Sequence, residues 1–237
     1  MKPVTLYQFA LCPYCHKVRA GLEAKGISYR TVEVNPMNKR ELPPLPQGAP
    51  KKVPILDWGG EILYDSTAIL KALDERVPGG VKLLPEDPAA RKQTEVVEDW
   101  VDKRLTFALP TVIYGTWREA LNAAQVTART SNFGLVQNLM VRAGGSLIMH
   151  QVAKRILKRN GQPDGRAWVN SEMDQFEQWL GEKPFVAGDA PTLGDIATHG
   201  ALTCITDFPA YAEIMARPRV AAWYARVGAH RVHMVAA

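Results

Sequence analysis

The chain has 237 residues, 46% apolar and 22% charged, with 29 basic against 24 acidic side chains for a formal net charge of +5. This is ordinary globular composition, enough for one large domain or two modest ones, and the mild, scattered basic excess favours a solvated surface over a nucleic-acid groove. Only three cysteines, two of them in one tetrad, argue against a disulfide-stapled secreted protein and for a reducing, cytoplasmic compartment, and every apolar window is broken by Arg, Lys or His before about eighteen residues, so no membrane span is expected.

Val4 to Phe9 reads as a first strand. A helix follows from near Pro13 through about Lys25, with Val18 and Leu22 on one face and Gly26 ending it. Ser28 to Val34, rich in Tyr, Thr and Val, reads as a second strand, giving a right-handed parallel strand-helix-strand unit. Between 35 and 50 the prolines at 36, 43, 44, 46 and 50 forbid a long helix, leaving a short one around Asn38 to Leu42 and then loop. Val53 to Trp58 and Glu61 to Tyr64 flank Gly59-Gly60, a hairpin signal, and Thr67 to Val77 returns to helical spacing. The order β-α-β-α-β-β-α is thioredoxin-like.

Pro78 to Pro88 is rich in proline and glycine, and strand signals all but vanish beyond it. The expected organisation is a thioredoxin-like domain over 1–80, a linker over 81–90 and an all-helical bundle over 91–237. Its helical patterns run through Val96 to Leu105, Phe133 to Leu157 and Val169 to Leu180. Thr192-Leu193-Gly194-Asp195 resembles a capping box, with Asp in place of Glu, that starts a buried helix. His150, Lys154, Arg155, Lys158 and Arg159 read as one helix's solvent face, with an anion site as the alternative. Cys204 is expected buried and inert.

The stretch that organises this pattern is Cys12-Pro13-Tyr14-Cys15, at the junction of the first strand and first helix. Free N–H groups and the helix dipole favour an anion at Cys12, and Pro13 suits the first helical position because it has no N–H to orphan. Lowering a thiol pKa from about 8.5 to about 7 raises its ionised fraction from about 3% to about 50%, yet the parallel loss of nucleophilicity leaves a gain of only about threefold to fourfold. Such a sulfur is also a good leaving group, which suits repeated loading and unloading. Three other readings stand beside this one. With His16 the tetrad spells a c-type haem attachment signature, a zinc pair would need a second ligand pair that the sequence lacks, and the thiols can be inert.

Val53-Pro54 is the second feature, either the cis pair that faces the cysteines in thioredoxin-like folds or an ordinary trans proline opening an edge strand. Asp65-Ser66 is the third. Ser66 is either a plain helix cap or, at a helix N-terminus, a carboxylate anchor, while Asp65 can pair with an ammonium. One tripeptide suits all three features: its thiol at Cys12, its backbone along Val53, its glutamyl end at Ser66 and Asp65. That molecule is glutathione. Tyr7 either points its hydroxyl at the thiols or packs in the sheet, Tyr14 forms a partly exposed aromatic rim, and Lys17 and Arg19 are expected in solvent.

With these residues assembled the chain resembles the glutathione transferase superfamily, a thioredoxin-like domain followed by a helical one. Phe185 to Ile196 is similar to that superfamily's helix-start signature in the second domain. Tyr7-Gln8-Phe9, the Cys12 tetrad, Lys17-Val18-Arg19, Val32 to Pro36 and Lys52 to Leu56 resemble its type-2 prostaglandin E synthase family, and the agreement runs on through Trp117 to Leu121 and Lys154 to Lys158. The resemblance implies Cys12 as reactive thiol, Cys15 as its partner and Tyr7 as a donor beside it, with Tyr14, Val53, Pro54, Asp65 and Ser66 at glutathione. It also implies glutathione as cosubstrate, a homodimer and, from the animal synthases, haem. Three functions follow as expectations: thiol transfer or thiol-disulfide exchange through Cys12, a haem-linked isomerase or peroxide-handling activity, and a non-catalytic binding module. Against the animal synthases, the chain is expected to lack an N-terminal membrane anchor and to have a shorter connection between the hairpin and the second domain.

Overall fold

The computed structural model describes residues 3–131 and 133–232. Strands β1 (Val4–Gln8), β2 (Tyr29–Glu33), β3 (Ile55–Trp58) and β4 (Glu61–Tyr64) form one sheet in the order β2-β1-β3-β4. β1 runs parallel to β2, with Tyr7 opposite Val32, and antiparallel to β3, with Tyr7 opposite Ile55. Gly59 and Gly60 supply the positive φ values that close the β3–β4 hairpin, setting Trp58 opposite Glu61. Helix α1 (Pro13–Ala24) follows β1 and α2 (Ser66–Arg76) follows β4. This is the expected thioredoxin-like sheet, but with one helix fewer.

The expected short helix around Asn38 to Leu42 is a set of turns. Asn35 Oδ1 accepts the Met37 N–H (2.9 Å), Asn38 Oδ1 accepts the Arg40 N–H (3.1 Å), and Lys39 sits at φ 54°. These short side-chain bonds satisfy backbone groups that a helix would need and hold the chain out of helical geometry. The loop then runs on to the cis Val53-Pro54 peptide bond that precedes β3.

The rest of the chain is helical. α3 (Pro88–Trp100) is capped by Asp87 and runs into a π-helical turn, Val101–Leu105, then α4 (Thr106–Ala108) and α5 (Pro110–Ile113). α6 (Trp117–Thr130) begins with a complete Thr116/Glu119 capping box. Periodicity through Phe133 to Leu157 resolves into α7 (Leu135–Met140) and α8 (Ser146–Arg159), joined by a second π-helical turn, Val141–Gly145. α9 (Gly165–Leu180), α10 (Leu193–Thr203), α11 (Pro209–Met215) and α12 (Pro218–Ala229) complete the bundle. No helix among the described residues is long and apolar enough to cross a membrane.

The two parts share one core through α10, which is buried from Leu193 to Leu202 and packs along α1. Gly200 makes this approach feasible, since a Cβ there would lie 2.7 Å from the His16 carbonyl oxygen and from Lys17 Cα. The start of α10 bears out the capping-box reading. Asp195, wholly buried, accepts from Thr192 N (3.0 Å), Val186 N (3.0 Å) and Trp223 Nε1 (2.8 Å). Burial raises its pKa despite these bonds.

Candidate active site

Cys12 is the N-cap of α1. Its backbone is extended, Pro13 opens the helix, and its half-buried Sγ accepts the Cys15 N–H at 3.3 Å. The sulfur therefore occupies the place a capping oxygen usually takes, at the positive end of the helix. Cys15 is different: it is wholly buried, and burial first, then the hydrogen bond and charge of Cys12, push its thiol pKa well up. The pair is thus asymmetric, one sulfur at the helix mouth and one protonated behind it.

His16 points away from the opening. Its Nε2–H donates to the Ala10 carbonyl (2.7 Å), and burial lowers its pKa to about 4. Covalent haem needs two accessible thiols and an available imidazole nitrogen, and these residues do not fit it.

Tyr14, Val53, Pro54, Asp65 and Ser66 line one cleft of about 410 Å³, together with Pro50, Lys52, Tyr64 and Asp102. Tyr14 is half-buried, as expected for a rim, and its hydroxyl donates to the Asp102 carbonyl (3.1 Å) and accepts from Thr106 Oγ1 (3.0 Å). Burial raises its pKa. Val53 lies two residues before the start of β3, next to the cis peptide bond to Pro54. The α2 cap is Asp65, not Ser66: Asp65 Oδ1 accepts the Ala68 N–H (3.0 Å) from a backbone at φ 70°. Ser66 is the first helical residue and is buried, with no capping bond to make. Tyr7 is half-buried in β1, and its hydroxyl forms no hydrogen bond to either thiol among the described residues.

Sequence reasoning missed the polar floor of this site. Lys17, expected in solvent, is wholly buried, and its Nζ reaches Glu98 Oε1 (2.5 Å), Asp102 Oδ1 (2.6 Å) and Thr67 Oγ1 (3.1 Å). One ammonium from α1 thus holds two carboxylates of the helical part against the start of α2. Asp102, whose side chain keeps 26% of its exposure, has a pKa raised by burial and pulled back by Lys17. The only sequence signal was that 17, 98 and 102 fall on segments flanking the tetrad and the linker, and pairing across 80 residues leaves no local pattern. His150 was also misplaced. It is buried, its Nδ1 bonds the Tyr114 carbonyl oxygen (2.9 Å) and its ring packs on Trp117 (4.6 Å), whereas Lys154, Arg155, Lys158 and Arg159 are exposed as expected. Cys204 is buried, and burial pushes its thiol pKa up.

Residues 6–80 match the N-terminal domain of glutathione S-transferase, and 158–230 match its C-terminal domain. Prostaglandin E synthase 2 of Mus musculus is 28% identical over an alignment spanning 94% of this chain and 69% of the mouse protein. The Danio rerio protein of the same name is 27% identical, spanning 94% and 70%. Among solved structures, glutathione S-transferase III in its apo form superposes with a TM-score of 0.64 at 23% identity, covering 96% of this chain and 92% of that one.

Proposed function

The chain belongs to the glutathione S-transferase superfamily, and on that premise we propose that it is a glutathione-dependent thiol transferase with Cys12 as nucleophile. The gathering of Tyr14, Val53, Pro54, Asp65 and Ser66 around one cleft carries this reading; Cys12 is not in that lining but stands two residues before Tyr14, at the N-cap of the same helix. That lining offers main-chain groups at Val53, a helix N-terminus at Ser66, carboxylates at Asp65 and Asp102 and a cation at Lys52, a set matched to a zwitterionic tripeptide.

In the proposed cycle the Cys12 thiolate attacks a glutathione mixed disulfide. A Cys12–glutathione disulfide forms, the substrate's S–S bond breaks, and the substrate leaves as a thiol after taking a proton from solvent. A second glutathione thiolate then attacks the glutathione sulfur, releasing oxidised glutathione and restoring Cys12. One glutathione thiol is oxidised and the substrate sulfur is reduced, while the glutathionyl group passes from one disulfide to the next at the same oxidation level. Because Cys15 is wholly buried, with burial pushing its thiol pKa up, we assign resolution of the intermediate to the second glutathione rather than to Cys15.

The test is turnover of a glutathionylated peptide with the oxidised glutathione formed as readout. Cys12→Ser should abolish turnover and Cys15→Ser should retain it; turnover by Cys12→Ser equal to that of the unaltered protein would overturn the assignment. The relatives named prostaglandin E synthase 2 favour a second reading, isomerisation with glutathione regenerated. Product formed from a peroxide substrate without oxidised glutathione would select it.

A further inference from the structure

Residues 120–163 contain six Lys or Arg and no Asp or Glu, in a chain where about one residue in ten is acidic. Within that stretch α7, the π-helical turn and α8 form one continuous helical rod from 135 to 159. Its first half bears large apolar side chains in water: Leu135 is 94% exposed, Val136 73% and Leu139 69%, followed by Met140, Leu147 and Ile148. Its second half bears Lys154, Arg155, Lys158 and Arg159, all exposed. Leu147, Lys154 and Lys158 recur at intervals of seven and four residues, as do Ile148, Arg155 and Arg159, so apolar tips and cations share one outward side. Beside it lies an apolar recess of about 630 Å³ lined by Met37, Phe133, Met140 and Ile148 among others.

We propose that the outer side of residues 135–159 is a docking surface for a bilayer containing anionic phospholipid. A second copy of the chain laid on this side would set cations against cations. A small apolar ligand would fill the recess but leave Leu135, Val136 and Leu139 in water. An anionic bilayer satisfies both halves, with aliphatic tips at the headgroup and acyl boundary and Lys and Arg heads at the phosphates. The protruding tips suit a deformable lipid surface better than a preformed protein groove.

The experiment is flotation of the full chain with vesicles of phosphatidylcholine alone or mixed with phosphatidylserine. Binding is expected only with phosphatidylserine and should weaken with added salt. Lys154→Gln with Lys158→Gln should lower the partition constant about twenty-five-fold, at about fivefold per cation, and Leu135→Asn with Leu139→Asn should abolish flotation. Both variants alter exposed side chains and should keep the parent's circular dichroism and thiol-transfer activity. Failure to float with phosphatidylserine, as an acidic protein partner would produce, overturns the proposal. So does undiminished flotation of both variants, or a dimer that the leucine variant dissociates while vesicles leave it unbound.

Discussion

Replacing Lys17 by Met keeps the length of the side chain and removes the ammonium that Glu98 and Asp102 share. Breaking a buried pair costs about 3–5 kcal/mol because it strands the partner charge. Asp102 retains some contact with water on its cleft side, so the lower end, about 3 kcal/mol, is expected. For a chain of this size that lowers Tm by about 6–12 °C. The deficit should also depend on pH. Burial already places the Asp102 pKa above its usual value, and Lys17 is what pulls it back; removing Lys17 lets it rise further. A carboxyl whose folded pKa exceeds its unfolded one favours the fold most below about pH 4, and that advantage is lost as pH rises through the folded value. Guanidinium unfolding of both proteins should therefore show the full deficit near about pH 7.5 and a smaller one near about pH 5. A deficit below about 1 kcal/mol, or one equal at the two pH values, would refute the view that Lys17 neutralises this pair.

Gly200→Ala places a Cβ against the backbone of α1, so α1 and α10 must part, at about 2 kcal/mol in chemical unfolding. His16 is held neutral with a pKa lowered to about 4. Its contribution is complete above about pH 6.5 and lost as pH falls through about 4, so acid unfolding followed by tryptophan fluorescence should begin at lower pH in His16→Gln. Ser66 is buried at the cleft without capping α2. Ser66→Ala should leave stability within about 1 kcal/mol while raising the KM for glutathione about tenfold, the loss of one hydrogen bond to a charged group.

Much of this architecture was legible because it is written locally. The alternation in β1, the Gly59-Gly60 turn, Pro13 after Cys12 and the Thr192/Asp195 box each fix geometry within a few residues. Asp65-Ser66 was read as a helix start, but the cap expected at Ser66 is Asp65, since either side chain can cap and only the backbone decides which does. The turn at 38–42 was misread because Asn side chains competed for the backbone. Lys17 and His150 were misplaced for a different reason: each looks like a solvent residue in its own helix, and each is buried by a partner far along the chain. The cleft depends on the Lys17–Asp102 pairing, so its main-chain and capping parts could be read in advance and its charged floor could not.

The most direct measurement is the intact mass of the Cys15→Ser and Cys12→Ser proteins after exposure to oxidised glutathione. One glutathione adduct is expected on Cys15→Ser, removed by added glutathione, and none on Cys12→Ser. An adduct of equal yield on Cys12→Ser, or none on Cys15→Ser, would contradict Cys12 as the nucleophile.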